Sequence, residues 1–158
     1  MLFPKIHHLS NILSTDLSIT SIAIPDWTYS DIQHSILDFS EFNLVESIVI
    51  GNKCFGSVKT FRIDGLNRLK TIKIGSNSFT QKMDDKGNDE SKSFHILNCE
   101  SLESIQIGEY SFSDYAGEFE LENLPHLQSI QIGTIGNKSY NFHGSSFIIH
   151  GIELMLYI

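Results

Sequence analysis

At 158 residues, with 41% apolar and 11% aromatic content, the chain can fill one continuous core, and it is not a wholly disordered segment. The net charge is −8 and no basic stripe is present. That disfavours a duplex nucleic-acid partner, whose phosphates need clustered Lys and Arg, and no nucleic-acid partner is expected. No apolar run nears the roughly 20 residues that cross a bilayer, so no membrane association is expected.

Residues 1–18 stand outside the pattern that organises the rest. Leu9, Ile12, Leu13 and Leu17 make them either an irregular cap on the first turn of a repeat array or the remnant of a preceding repeat. The opening residues MLFPKIHHLSNILSTDLS show neither a basic n-region nor an apolar h-region, so no secretion signal is expected.

From Ile19 onward one unit recurs. An aliphatic residue precedes an Ile-x-Ile strand by three positions: Ile19 before Ile22, Val45 before Ile48, Leu69 before Ile72, Leu102 before Ile105 and Leu127 before Ile130. The successive steps are 26, 24, 33 and 25 residues, and LESIQIG at Leu102 returns almost letter for letter as LQSIQIG at Leu127. Such a unit cannot bury a face alone, so its repetition predicts a solenoid in which each turn covers the next. Alternation places Ile105 and Ile130, with their counterparts, inward. Pro25, Gly51, Gly75, Gly108 and Gly133 follow the strands. Pro ends a ladder without losing an internal bond, and Gly is expected to turn at positive φ.

Five residues past the second Ile comes an aromatic residue behind a small one: Thr28-Tyr29, Cys54-Phe55, Ser78-Phe79 and Ser111-Phe112. In the fifth copy the pair is expected three residues late, at Ser139-Tyr140, after an insertion in GTIGNKS. A second strand then opens at Leu37, Phe61, Phe94, Phe119 and Phe147, always eight residues before the next turn's aliphatic. Gly65, Asn98, Asn123 and Gly151 share one position there, where an αL conformation is expected.

Three departures punctuate the array. Trp27, the one tryptophan, is a rim aromatic or a ligand platform. Residues 81–93, QKMDDKGNDESKS, lengthen the third turn as a polar, mobile surface loop. Its Asp84, Asp85, Asp89 and Glu90 do not follow the spacing of a calcium loop, so no metal is expected. At the end, Ile152, Met155 and Ile158 repeat the positions of Leu124, Leu127 and Ile130. A truncated sixth strand is therefore expected, with apolar Leu156 and Tyr157 facing outward and a C-terminal edge open to self-association. The predicted architecture is mainly β with little helix: two parallel sheets in a solenoid of five repeats plus a truncated sixth over residues 19–158.

Leu102-x-x-Ile105-x-Ile107 and Leu127-x-x-Ile130-x-Ile132 resemble the Leu-x-x-Leu-x-Leu strand of leucine-rich repeats. With the Gly and the small-Phe pair, the pattern looks most like the divergent BspA-like type. The resemblance implies a right-handed solenoid and a protein-binding scaffold. Two features depart from ordinary leucine-rich repeats: Gly stands in place of Asn after the strand, and a short strand stands in place of a convex helix.

No nucleophile elbow, P-loop, H-E-x-x-H or C-x-x-C motif is present. The seven histidines, His95 and His150 among them, fall at unrelated positions and are read as solvated or turn residues. Cys54 and Cys99 fill core positions of the frame, which points to reduced thiols and a cytoplasmic location. The outward strand residues form two rows. Ser47, Thr71, Ser104 and Ser129 continue Ser21; Val49, Lys73, Gln106 and Gln131 continue Ala23. These eight are the candidate face for a protein or peptide partner. Three alternatives stand beside it: structural ladders bonded from turn to turn, a segment of a longer solenoid with no site, and a carbohydrate-active β-helix enzyme. The enzyme needs carboxylates clustered on a sheet face, and these rows hold none. Neither catalysis nor a cofactor is expected.

Overall fold

The structure, a computed structural model, describes residues 17–29, 35–81, 88–134 and 139–152. Residues 1–16, Asp84, Asp85 and the expected sixth strand with Leu156 and Tyr157 lie outside the described residues. Every described element is a strand: β1 Ser21–Ile24, β2 Ile36–Asp38, β3 Ser47–Ile50, β4 Thr60–Asp64, β5 Thr71–Ile74, β6 Ser93–Leu97, β7 Ser104–Ile107, β8 Glu118–Glu122, β9 Ser129–Ile132 and β10 Ser146–His150. The odd strands form one sheet, in the order β1-β3-β5-β7-β9. The even strands form the other, in the order β2-β4-β6-β8-β10, and all pairings in both are parallel. The chain therefore crosses from sheet to sheet twice per repeat, as a β-solenoid does.

Register follows the sequence frame. Ile22, Ile48, Ile72, Ile105 and Ile130 lie side by side along the first sheet. Phe61, Phe94, Phe119 and Phe147 do so along the second. A one-residue slip would turn the buried members, Ile22, Ile48, Ile72, Ile105, Phe61, Phe94 and Phe119, to solvent, so burial fixes the pairing there; Phe147, on the last described rung, is exposed. The core between the sheets holds two aromatic columns. One stacks Phe61, Phe94 and Phe119, with ring centroids 4.9 and 5.1 Å apart. The other runs Tyr29, Phe55, Phe79, Phe112 and Phe142, at 5.2, 5.3, 4.6 and 4.9 Å. The columns meet edge to face, as at Phe94–Phe112 and Phe119–Phe142, the geometry that ring quadrupoles favour.

The fifth aromatic is thus Phe142, not the expected Tyr140. The backbone shows the same alignment: Lys53, Asn77 and Tyr110 donate to Ser76, Glu109 and Ser139 of the following turn. Tyr140 pairs instead with Tyr110 on the rim, 6.2 Å away. The insertion is longer than the three residues counted from the sequence, because Tyr140 satisfies the aromatic pattern two positions early.

The glycines behave differently from expectation. Positive φ belongs to Gly133, Gly65, Gly151, Asn98 and Asn123, and to the core aromatics Phe55, Phe79, Phe112 and Phe142, but not to Gly51, Gly75 or Gly108. These three are glycine because adjacent turns touch there. A Cβ on Gly75 would lie 2.7 Å from the Asn52 nitrogen, and one on Gly108 would lie 2.6 Å from the Ser76 nitrogen.

The small residue before each aromatic has a bonding role. Ser78 Oγ donates to Gly51 O (2.8 Å), Ser111 Oγ to Gly75 O (2.6 Å) and Asn141 Nδ2 to Gly108 O (2.8 Å). Cys54 Sγ reaches Pro25 O at 3.2 Å. Ser78 Oγ also accepts from Cys54 N, and Ser111 Oγ from Ser78 N. Each hydroxyl therefore ties its own turn to the one before, in a buried column where unpaired groups would be costly.

The third-turn insertion is not a solvated loop throughout. Asp89 bridges to Tyr115, and Lys92 is buried with its Nζ 2.6 Å from Asp114 Oδ2. Tyr115, also buried, donates to Val58 O at 2.8 Å. The end of the insertion is thereby tied to the following turn.

Candidate partner-binding face

Strand pairing brings all eight predicted face residues together. Ser47, Thr71, Ser104 and Ser129 are register partners in sequence, with Ser21 at their head. Val49, Lys73, Gln106 and Gln131 run alongside, headed by Ala23. Their strands alternate exposed and buried residues in the period-2 manner that the Ile-x-Ile pattern dictates. Val49, Lys73, Gln106 and Gln131 are exposed, and Ser47 and Ser104 are half-buried.

A shallow depression of about 460 Å³ crosses the strand ends. Val49, Lys73, Gln106 and Gln131 line one side; the turn residues Asp26, Asn52, Ser76 and Glu109 line the other. The turn side is held in place by its own ladder. Asn52 N and Nδ2 donate to the Asp26 carboxylate at 2.8 and 3.1 Å, and Ser76 N donates to Asn52 Oδ1 at 2.7 Å. Those donors from Asn52 hold the Asp26 carboxyl below its ordinary range.

The face itself is little bonded. Among the described residues, the one side-chain hydrogen bond within the two rows runs from Gln106 Nε2 to Gln131 Oε1, at 3.5 Å. That distance is at the limit of a useful bond. Gln131 Nε2 also reaches Gly133 O, at 3.4 Å; the other amide, hydroxyl and ammonium groups of the rows are left to an incoming chain, beside the apolar Val49. Lys53 Nζ sits over the Trp27 ring, 4.0 Å from the centroid, and the indole is otherwise exposed.

The second sheet's outer side carries side-chain contacts that the sequence did not announce. Arg62 pairs with Asp64 at 2.5 Å, and His95 Nδ1 lies 2.7 Å from Glu120 Oε2. Asn98 Nδ2 donates to Asp64 Oδ1 and Asn123 Nδ2 to Asn98 Oδ1, at 2.9 and 3.0 Å. Counting outward rows along the second strand, as was done for the first, would have found them. His95, expected as a solvated or turn histidine, lies on β6 and is hydrogen-bonded to the Glu120 carboxylate. Both cysteines are buried and unpaired. Burial pushes the Cys99 thiol up to about 11 and raises that of Cys54 as well.

Comparison with protein-family models gives no match, and comparisons with curated proteins and with solved structures give none either.

Proposed function

We propose that this chain is a non-catalytic scaffold of the leucine-rich-repeat kind, a right-handed solenoid. Its partner is an extended protein segment laid across the first sheet. The observation that carries the reading is the pair of in-register, sparsely bonded rows, Ser47, Thr71, Ser104, Ser129 and Val49, Lys73, Gln106, Gln131, beside the rigid turn ladder. Sheet faces bind without reorganising, which keeps the entropic cost of association low. Lys73 at the centre, with Asp26 and Glu109 on the opposite side, favours a segment that carries both signs of charge. The long Gln106–Gln131 contact weighs against the purely structural alternative, in which these rows exist to bond with each other. Two buried free thiols support a reducing, cytoplasmic setting.

Selection of displayed random peptides on the intact protein tests the reading. Enriched peptides are expected to lose at least tenfold in affinity on Val49→Asp and on Gln106→Arg, and to be indifferent to Glu122→Gln on the other sheet. Failure to enrich any peptide, or binding that ignores both face variants, would leave the structural-segment alternative standing.

A further inference from the structure

The outer face of the second sheet, away from the proposed docking surface, carries a different chemistry. β8 turns Glu118, Glu120 and Glu122 outward in one row. At roughly 6.6 Å between alternate residues of a strand, three carboxylates repel one another. Parallel pairing sets His95 of β6 opposite Glu120 on one side, and His150 of β10 opposite Glu122 on the other. The guanidinium of Arg62, opposite His95, is engaged by Asp64. One ligand atom each from His95, Glu118 and Glu120 falls within 4.8 Å of the other two, and this is the one such group of three among the described residues.

We propose that His95, Glu118 and Glu120 bind a divalent transition-metal ion, with Zn²⁺ the best fit. One imidazole with two carboxylates suits zinc and its neighbours, whereas Mg²⁺ and Ca²⁺ prefer all-oxygen shells. Zinc holds nitrogen and oxygen at about 2.0–2.2 Å, so its ligand atoms lie roughly 3.3–3.5 Å apart in a tetrahedron. The group is near that size already. His95 and Glu120 are the pre-set half, with side chains 14% and 22% accessible; they part slightly, and the ion takes the place of the proton between them. Glu118 is exposed and swings in by a fraction of its own length. The fourth position faces solvent, giving three protein ligands and a water. Because His95 and Glu118/Glu120 lie on neighbouring turns, the ion clamps β6 to β8.

Titration of the full chain with Zn²⁺ by isothermal calorimetry tests this, with circular dichroism to confirm that each variant folds. One ion per chain is expected to bind at this group, and Glu118→Gln and His95→Ala should each weaken binding at least about tenfold, the size of effect that even supporting residues show. Glu122→Gln, outside the group, should bind as the parent does. Glu118→Gln leaves the His95–Glu120 contact in place, so it tests the site even if His95→Ala perturbs the sheet. Absence of Zn²⁺ binding would overturn the proposal. So would binding that survives either ligand substitution, or Ca²⁺ binding of equal strength at this group.

Discussion

Replacing Gly75 by Ala asks whether contact between turns, rather than backbone conformation, demands glycine after the first-sheet strands. The φ angle of Gly75 is not positive, so an Ala backbone is unstrained there. Its Cβ, however, would sit 2.7 Å from Asn52 N and from Gly51 C. Ordinary contact begins near 3.4 Å, so one turn must retreat from the other by about 0.7 Å. That stretches Gly75 N to Ile50 O and Ser76 N to Asn52 Oδ1, now 2.8 and 2.7 Å. Overpacking costs about 1–3 kcal/mol, and each weakened bond adds up to about 1 kcal/mol. The stiffer unfolded chain returns about 0.4–1 kcal/mol. The net expectation is a loss of about 2–4 kcal/mol. Gly65 supplies the control: its φ is +75° and nothing lies within 4 Å of the position a Cβ would take. Gly65→Ala therefore carries only αL strain, about 1 kcal/mol after the same entropic return. Urea denaturation followed by far-ultraviolet circular dichroism measures both. If Gly75→Ala costs no more than Gly65→Ala, the turns do not touch where the structure places them.

Three other perturbations bear on packing and protonation. Ile105→Ala, in a fully buried rung, should cost about 2–5 kcal/mol. Ile130→Ala, half-buried on the last described rung of that sheet, should cost clearly less, and Gln106→Ala under about 0.5 kcal/mol; equal losses in a denaturation series would reverse the assignment of faces. Lys92→Met should cost about 3–5 kcal/mol by stranding the buried Asp114 carboxylate, and Lys92→Met with Asp114→Leu should recover most of it. A neutral single substitution would return Lys92 to the solvated loop that the sequence suggested. Cys99, with its thiol raised to about 11, is about one part in a thousand thiolate at pH 8. A disulfide-exchange reagent should therefore leave it untouched in the native protein and titrate both cysteines in urea. Prompt native reaction of Cys99 would contradict its burial.

The sequence carried most of the first sheet because Leu-x-x-Ile-x-Ile states its own period, spacing and inward face. The eight candidate residues followed by alternation alone, and the αL positions of Asn98 and Asn123 followed from residue type. What the sequence hid were matters of contact between turns. Gly75 looks the same in sequence whether it serves a positive φ or a close approach. Phe142 was masked by Tyr140, which fits the local pattern but lies on the rim. Lys92 sits in a run of charges and reads as solvated; its partner Asp114 is 22 residues away, in a turn that the repeat frame does not align with it. The Glu118–Glu120 row was visible in principle, since the second strand alternates as the first does, but its outward positions carry no repeated letter to draw the eye.

The docking claim is tested most directly by nuclear magnetic resonance of the labelled protein, titrated with a peptide selected on it. Binding across the first sheet predicts shifts in the Val49 methyls and in the side-chain amides of Gln106 and Gln131. The side-chain amides of Asn98 and Asn123, joined to each other on the second sheet's side of the molecule, should stay where they are. Movement of Asn98 and Asn123 with Val49, Gln106 and Gln131 unmoved would place the partner on the wrong sheet and contradict the account.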